Sequence, residues 1–210
     1  MNRRLALVFG PPLVLVALAP SCAPTGSASR VRATPPGRSV HFLAVGDTGT
    51  GGALPRQLAT TMAGWCGRVG CDFLVLLGDN IYPEGAASAD DPIWATHVDE
   101  VFAPLAVPIL AVLGNHDYGG NGAGFEPQRA VAQIRRSELT ARWYMESHYY
   151  RLAVGDLDLV FLDTQAQLFR SDEAQRQAVA GWLSSPSPRA RWTIALGHHP
   201  YFSNGTHGDA

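Results

Sequence analysis

From residue 39 onward the chain is punctuated by five short apolar runs, at residues 40–45, 73–77, 109–113, 157–162 and 192–196. Each run is apolar at successive positions rather than alternating. That pattern predicts strands covered on both faces, because alternation is expected only where one face meets water. Residues 149–152, ahead of Gly155-Asp156, predict a hairpin with the fourth run. Helical spacing appears between the runs. Leu54, Leu58, Met62 and Trp65 predict one amphipathic helix, with Pro55 in its first turn. Pro92 opens a second, carrying Ile93, Trp94, Val98, Val101 and Phe102. Asp172, with Gln175 three residues on, marks the start of a third, ahead of Val179, Trp182 and Leu183. Strands alternating with helices predict an α/β fold with a partly parallel sheet, and no internal repeat is visible. In such sheets ligand sites collect beyond the carboxyl ends of the strands.

Composition adds a class and an organisation. The chain has 210 residues, 46% of them apolar and 16% charged, as in a globular protein. A net charge of −2 gives no electrostatic reason to expect nucleic acid as a partner. All sixteen basic residues are Arg, and Ala, Gly and Pro are abundant, which fits a GC-rich bacterial genome. Residues 1–22 read as an export signal: Arg3-Arg4, then an apolar stretch broken by Pro11-Pro12 and too short for a membrane span. The run Leu18-Ala19-Pro20-Ser21-Cys22 resembles a loose lipobox, so a lipid anchor to the membrane through Cys22 and simple secretion both stay open. The expected location is periplasmic, membrane-anchored as a lipoprotein, or extracellular. Residues 23–38 read as a flexible linker and 39–210 as one catalytic domain. Export permits a disulfide between Cys66 and Cys71, and no Cys/His set suited to structural zinc is present.

The candidate chemistry sits where four of the apolar runs end. They lead into Gly46-Asp47-Thr48-Gly49, Gly78-Asp79-Asn80-Ile81-Tyr82, Gly114-Asn115-His116-Asp117 and Gly197-His198-His199-Pro200. Carboxylate, phenol, carboxamide and imidazole together suit hard to borderline cations such as Fe, Mn and Zn. Singly, an Asp after a strand is more often a turn or cap residue, and Tyr82 alone would read as a half-buried aromatic. Four such loops in this order point to a metal centre, and the amides of Thr48, Gly49 and Gly51 near a helix start would add anion affinity.

On these loops the chain resembles the calcineurin-like metallophosphoesterases and, within them, the compact tartrate-resistant type of purple acid phosphatase. Tyr82 is the specific mark, and Trp143-Tyr144-Met145, Tyr149-Tyr150 and Leu162-Asp163-Thr164 add to the likeness. The resemblance implies a two-sheet sandwich flanked by helices. It also implies a binuclear centre of Fe(III) plus a divalent Fe, Zn or Mn. Asp47 and Tyr82 would hold the ferric ion, Asp79 would bridge, and Asn115 and His198 would hold the divalent one. His116 and His207 would face the substrate as catalytic residues. His199 receives no ligand role, Asp117 would orient a neighbouring group, and His41, His97 and His148 read as structural.

The implied reaction is hydrolysis of a small phosphate monoester by a metal-bound hydroxide. A metallophosphodiesterase or nucleotidase with the same metals is the alternative, and an inactive truncated exported protein is another. The family's fifth block, Gly-His-x-His, does not occur before Ala210. The resemblance therefore implies a chain lacking its last metal ligands and closing strands, with weak metal binding.

Overall fold

The computed structural model describes residues 34–35, 37–200 and 202–204. Residues 1–22, expected to be an export signal and including Cys22, most of the expected linker, and His207 lie outside the described residues.

Four parallel strands form one sheet in the order β1 (Phe42–Val45), β2 (Phe73–Leu77), β3 (Ile109–Val112) and β4 (Trp143–Tyr144). A second sheet holds β5 (Tyr150–Val154), β6 (Leu157–Phe161) and β7 (Trp192–Leu196), with β5 antiparallel and β7 parallel to β6. The helices are α1 (Ala53–Val69), α2 (Pro127–Leu139), α3 (Thr164–Arg170) and α4 (Glu173–Ser184). All five apolar runs are strands, and residues 149–152 enter the expected hairpin.

The two sheets share one core. Phe73, Leu74 and Leu110 from the first pack in the same apolar cluster as Leu152, Leu159 and Phe161 from the second. Tyr150 stacks on Phe161 at 4.2 Å and donates its hydroxyl to the Ala111 carbonyl at 2.9 Å. That bond satisfies a buried phenol at the seam between the sheets. The result is the α/β fold that the sequence pattern predicts, in the two-sheet arrangement that the resemblance implies.

Several local expectations are corrected. β2 and β3 are covered on both faces, but β7 exposes Trp192, Thr193 and Ala195. The anticipated stripe of α1 is shifted: Pro55 and Ala59 are buried, whereas Leu54 is 77% exposed and Trp65 50% exposed. The segment after Pro92 is a short π-helical turn, Ala95–Asp99, closed by Glu100 N–H donating to the Ala95 carbonyl. It still buries Trp94, Val98, Val101 and Phe102. Asp172 caps α4 by accepting from the Gln175 amide at 3.1 Å. The Gln175 side chain does not close the box; it bonds both backbone groups of Asp163 instead. Cys66 and Cys71 form a disulfide that joins the end of α1 to the approach to β2.

Candidate metal centre

Because β1, β2 and β3 are parallel and in register, the loops that follow them leave the same edge of the sheet. β7 brings the fourth loop to that edge from the second sheet. One ligand atom each of Asp47, Asp79 and His198 lies within 4.8 Å of the others. The Tyr82 hydroxyl reaches Asp79 Oδ2 at 2.7 Å and Asp47 Oδ1 at 3.2 Å. Asn115 Oδ1 lies 3.1 Å from His198 Nε2, which is 3.5 Å from Asp79 Oδ1. All five residues expected as metal ligands therefore meet at one place.

The backbone is bent to bring them there. Asp47 and Asp79 both adopt left-handed conformations, with φ of 60° and 52°. Side-chain-bearing residues seldom do so, and such strain gathers at functional sites. The loops are then laced together: Asp47 N–H donates to the Gly78 carbonyl, Gly49 N–H to the Asp79 carbonyl, and Tyr82 N–H to the Gly49 carbonyl. The Gly49 amide is thus spent inside the fold, which removes it from the set expected to bind an anion. Gly78 is small for a reason, since a Cβ there would sit 2.7 Å from His198 Nδ1.

The protonation pattern can be read from backbone partners. His198 Nδ1 lies 2.8 Å from the Leu77 carbonyl. A carbonyl only accepts, so Nδ1 carries a proton, and Nε2 is the nitrogen turned toward Asn115 and Asp79. Asn115 Nδ2 donates to the Gly122 carbonyl at 3.1 Å, which leaves Oδ1 facing the site. Asn115 Oδ1 and Asp79 Oδ1, which only accept, both face His198 Nε2. Acceptors converging in this way are satisfied by a proton on Nε2 or by a cation, and the ligand types suit a borderline cation. Tyr82 is held as a neutral phenol: burial first, then the hydrogen bond and charge of Asp79 and those of Asp47, push its pKa far above the usual value. Its proton stands between two carboxylates, where a cation would serve equally. These residues fit a metal centre.

His116 and Asp117 complete the surroundings. His116 N–H donates to Asp79 Oδ1 at 2.9 Å, its ring Nδ1 lies 2.7 Å from the Pro83 carbonyl, and its ring is 4.4 Å from that of Tyr82. Asp117 is fully buried and makes no approach as a ligand. It accepts from the amides of Asn80, Ile81 and Gly114 and from Gln133 Nε2. Burial pushes its carboxyl up to about 6, against the pull of the Gly114 amide, Gln133 and the Asn80 amide. Its expected orienting role matches these contacts.

His41, His97 and His148 lie apart from this cluster. Each has local partners: Val69 for His41, Thr96 for His97, and Asp163 for His148. His199 is paired with the Thr164 hydroxyl at 2.7 Å. The carbonyl of Gly122 has no counterpart among the expected residues. A backbone acceptor leaves no side-chain signal in a sequence, apart from the glycine itself.

A model of the calcineurin-like phosphoesterase family matches residues 40–210. Tartrate-resistant acid phosphatase type 5 of Rattus norvegicus is 30% identical over 204 residues, covering 83% of this chain and 60% of its own length. Purple acid phosphatase 17 of Arabidopsis thaliana is 31% identical over 195 residues, covering 81% and 55%. The chain thus spans about 60% of the length of the first of these relatives. Among solved structures, GAP50, described as the anchor in the inner membrane complex of Plasmodium, superposes with a TM-score of 0.64 at 20% identity, covering 81% of this chain and 58% of its own. Purple acid phosphatase PPD1 from yellow lupin gives 0.51 at 20% identity, covering 78% and 31%. At that identity the two structures speak for the fold alone.

Proposed function

This chain belongs to the calcineurin-like phosphoesterase family, and we propose that it hydrolyses phosphate monoesters at a binuclear metal centre. The observation that carries the proposal is the meeting of Asp47, Asp79 and His198 ligand atoms within 4.8 Å, flanked by the Tyr82 hydroxyl and Asn115 Oδ1. Asp47 and Tyr82 would hold a ferric ion, Asp79 would be shared, and Asn115 with His198 would hold a divalent Fe, Zn or Mn. A phenol that must lose its proton to bind favours the trivalent ion. When bound, two such cations supply charge neutralisation at the phosphoryl oxygens and activation of water.

The chain's own residues then do the rest. The His116 backbone amide fixes Asp79 Oδ1, and backbone carbonyls hold Asn115 Nδ2 and His198 Nδ1, which turns Asn115 Oδ1 and His198 Nε2 toward the site. The Pro83 carbonyl occupies His116 Nδ1, so Nε2, beside Gly122, is the ring nitrogen left for the substrate. That nitrogen can carry a proton toward a leaving-group oxygen. His207 is assigned the same substrate side within the proposal. We place the reaction outside the cytoplasm, and the Cys66–Cys71 disulfide supports an oxidising compartment.

Metal analysis together with hydrolysis of p-nitrophenyl phosphate tests the proposal. Asp79→Ala is expected to lower turnover by about 10³-fold and to release bound metal. Undiminished turnover in that variant would sink the metal reading. Tyr82→Phe is expected to abolish the visible absorption of the iron-loaded protein. Faster turnover of bis(p-nitrophenyl) phosphate than of the monoester would instead assign a diesterase.

A further inference from the structure

The turn that follows the third ligand loop, residues 119–124, contributes none of the expected ligands, yet it touches the centre twice. Gly122 offers its carbonyl to Asn115 Nδ2 at 3.1 Å. A carboxamide coordinates a cation through oxygen only, since its nitrogen lone pair is delocalised. The choice of which end faces the site therefore decides whether Asn115 is a ligand at all. A second contact concerns space. A Cβ at Gly122 would lie 2.6 Å from Asn115 Nδ2 and 2.7 Å from His116 Nε2, and the residue has φ of +86°.

The turn itself is held firmly. Gly122 N–H and Gly124 N–H both donate to the Gly119 carbonyl at 3.1 Å, and Glu126 N–H donates to the Tyr118 carbonyl at 2.8 Å. Arg129 is joined to Glu126 at 2.8 Å, behind Gly119. The Gly122 carbonyl is thus fixed by backbone bonds that do not involve Asn115.

We propose that Gly122 is a positioning residue for the metal centre. Its carbonyl sets the Asn115 amide oxygen toward the cation, and its missing side chain leaves the slot that Asn115 and the His116 ring occupy. This rests on the binuclear reading above and extends it to a residue with no functional group.

Two alanine substitutions separate positioning from backbone strain. Gly120 also has positive φ, +59°, but a Cβ there meets nothing within 4 Å. Gly120→Ala therefore carries the conformational strain without the collision. Equilibrium dialysis against Zn²⁺ is expected to show about 10–100-fold weaker binding at the Asn115–His198 side in Gly122→Ala, as for other residues that orient ligands. Gly120→Ala is expected to stay within about 3-fold of wild type, the scatter ordinary for a surface turn. The visible band of the iron-loaded protein, which reports the Tyr82 side, should survive in both variants. Equal Zn²⁺ affinities in the two variants would overturn the positioning role while leaving the phosphatase reading intact. Wild-type protein that holds no metal would overturn both. If Gly122→Ala does not fold, hydrogen exchange of the Asn115 side-chain NH₂ in the Zn²⁺-loaded wild type decides. Slowed exchange of one of its two protons supports the carbonyl contact, and free exchange of both overturns it.

Discussion

The Asp117 carboxylate accepts from the amides of Asn80 and Ile81 after β2 and from the amide of Gly114 after β3, while Gln133 on α2 closes the set. One buried side chain therefore fixes the spacing between the loop that carries Asp79 and the loop that carries Asn115. An isosteric carboxamide would present an NH₂ group to donors that need an acceptor. Asp117→Asn is expected to lower stability by roughly 2–4 kcal/mol, the scale of leaving buried donors unsatisfied. Urea denaturation checks this, and metal content measured on the folded fraction should fall with it. Residues of this kind were legible in the sequence because they sit in a Gly-led loop at the end of an apolar run. Asp47, Asp79, Tyr82, Asn115 and His198 shared that signal, and all five converge. Gly122 did not, since what it supplies is a carbonyl and an empty volume. The pairing of His148 with buried Asp163 was also hidden, because it depends on the β5–β6 hairpin bringing together residues 15 positions apart.

At the scale of elements, the strands were the easy part. β2 and β7 coincide with the apolar runs 73–77 and 192–196, each closed by a glycine that opens a ligand loop. α2 was missed for the opposite reason: it buries Ala130, Ala132 and Gln133, which leave no large apolar stripe to detect. α3, at seven residues, is too short to show a period. The β5–β6 hairpin carries an ion pair whose geometry follows from its register. Arg151 and Asp158 are diagonal neighbours on one face, Arg151 Nε donates to Asp158 Oδ1 at 2.7 Å, and Ser187 N–H donates to Oδ2 at 3.0 Å. Burial would raise the Asp158 pKa, but the Arg151 hydrogen bond, the Ser187 amide and the Arg151 charge outweigh it and hold the carboxyl below its usual value. The folded pKa is thus below the unfolded one, near ~4. The stabilisation is complete above about pH 4 and is lost as pH falls through the depressed folded value. Asp158→Asn is expected to cost roughly 1–3 kcal/mol at pH 7, the range for hydrogen bonds to charged groups. Its difference from wild type in urea midpoint should shrink below about pH 4, and a pH-independent difference would refute the linkage.

For the whole molecule, the packing of two sheets at one core explains how residues from distant parts of the chain reach one edge. Leu77, which precedes Gly78 and Asp79, and His198 are joined by a hydrogen bond although 121 residues separate them. The same architecture leaves an open sheet edge. Among the described residues, β7 is an edge strand of the second sheet, with Trp192 68% exposed and Thr193 and Ala195 also open to solvent. An edge with apolar side chains and free backbone donors and acceptors is a template for pairing with another strand. The chain as given is therefore expected to self-associate as its concentration rises, which sedimentation velocity would detect. A lysine on such an edge disfavours pairing because a second strand would have to bury its charge. Thr193→Lys should shift the protein toward monomer. Leu168→Ser removes a comparably exposed apolar side chain from α3, away from any strand. If both substitutions reduce association equally, general surface stickiness and not strand pairing drives it. If only Thr193→Lys does so, the open edge of β7 is the surface through which copies meet.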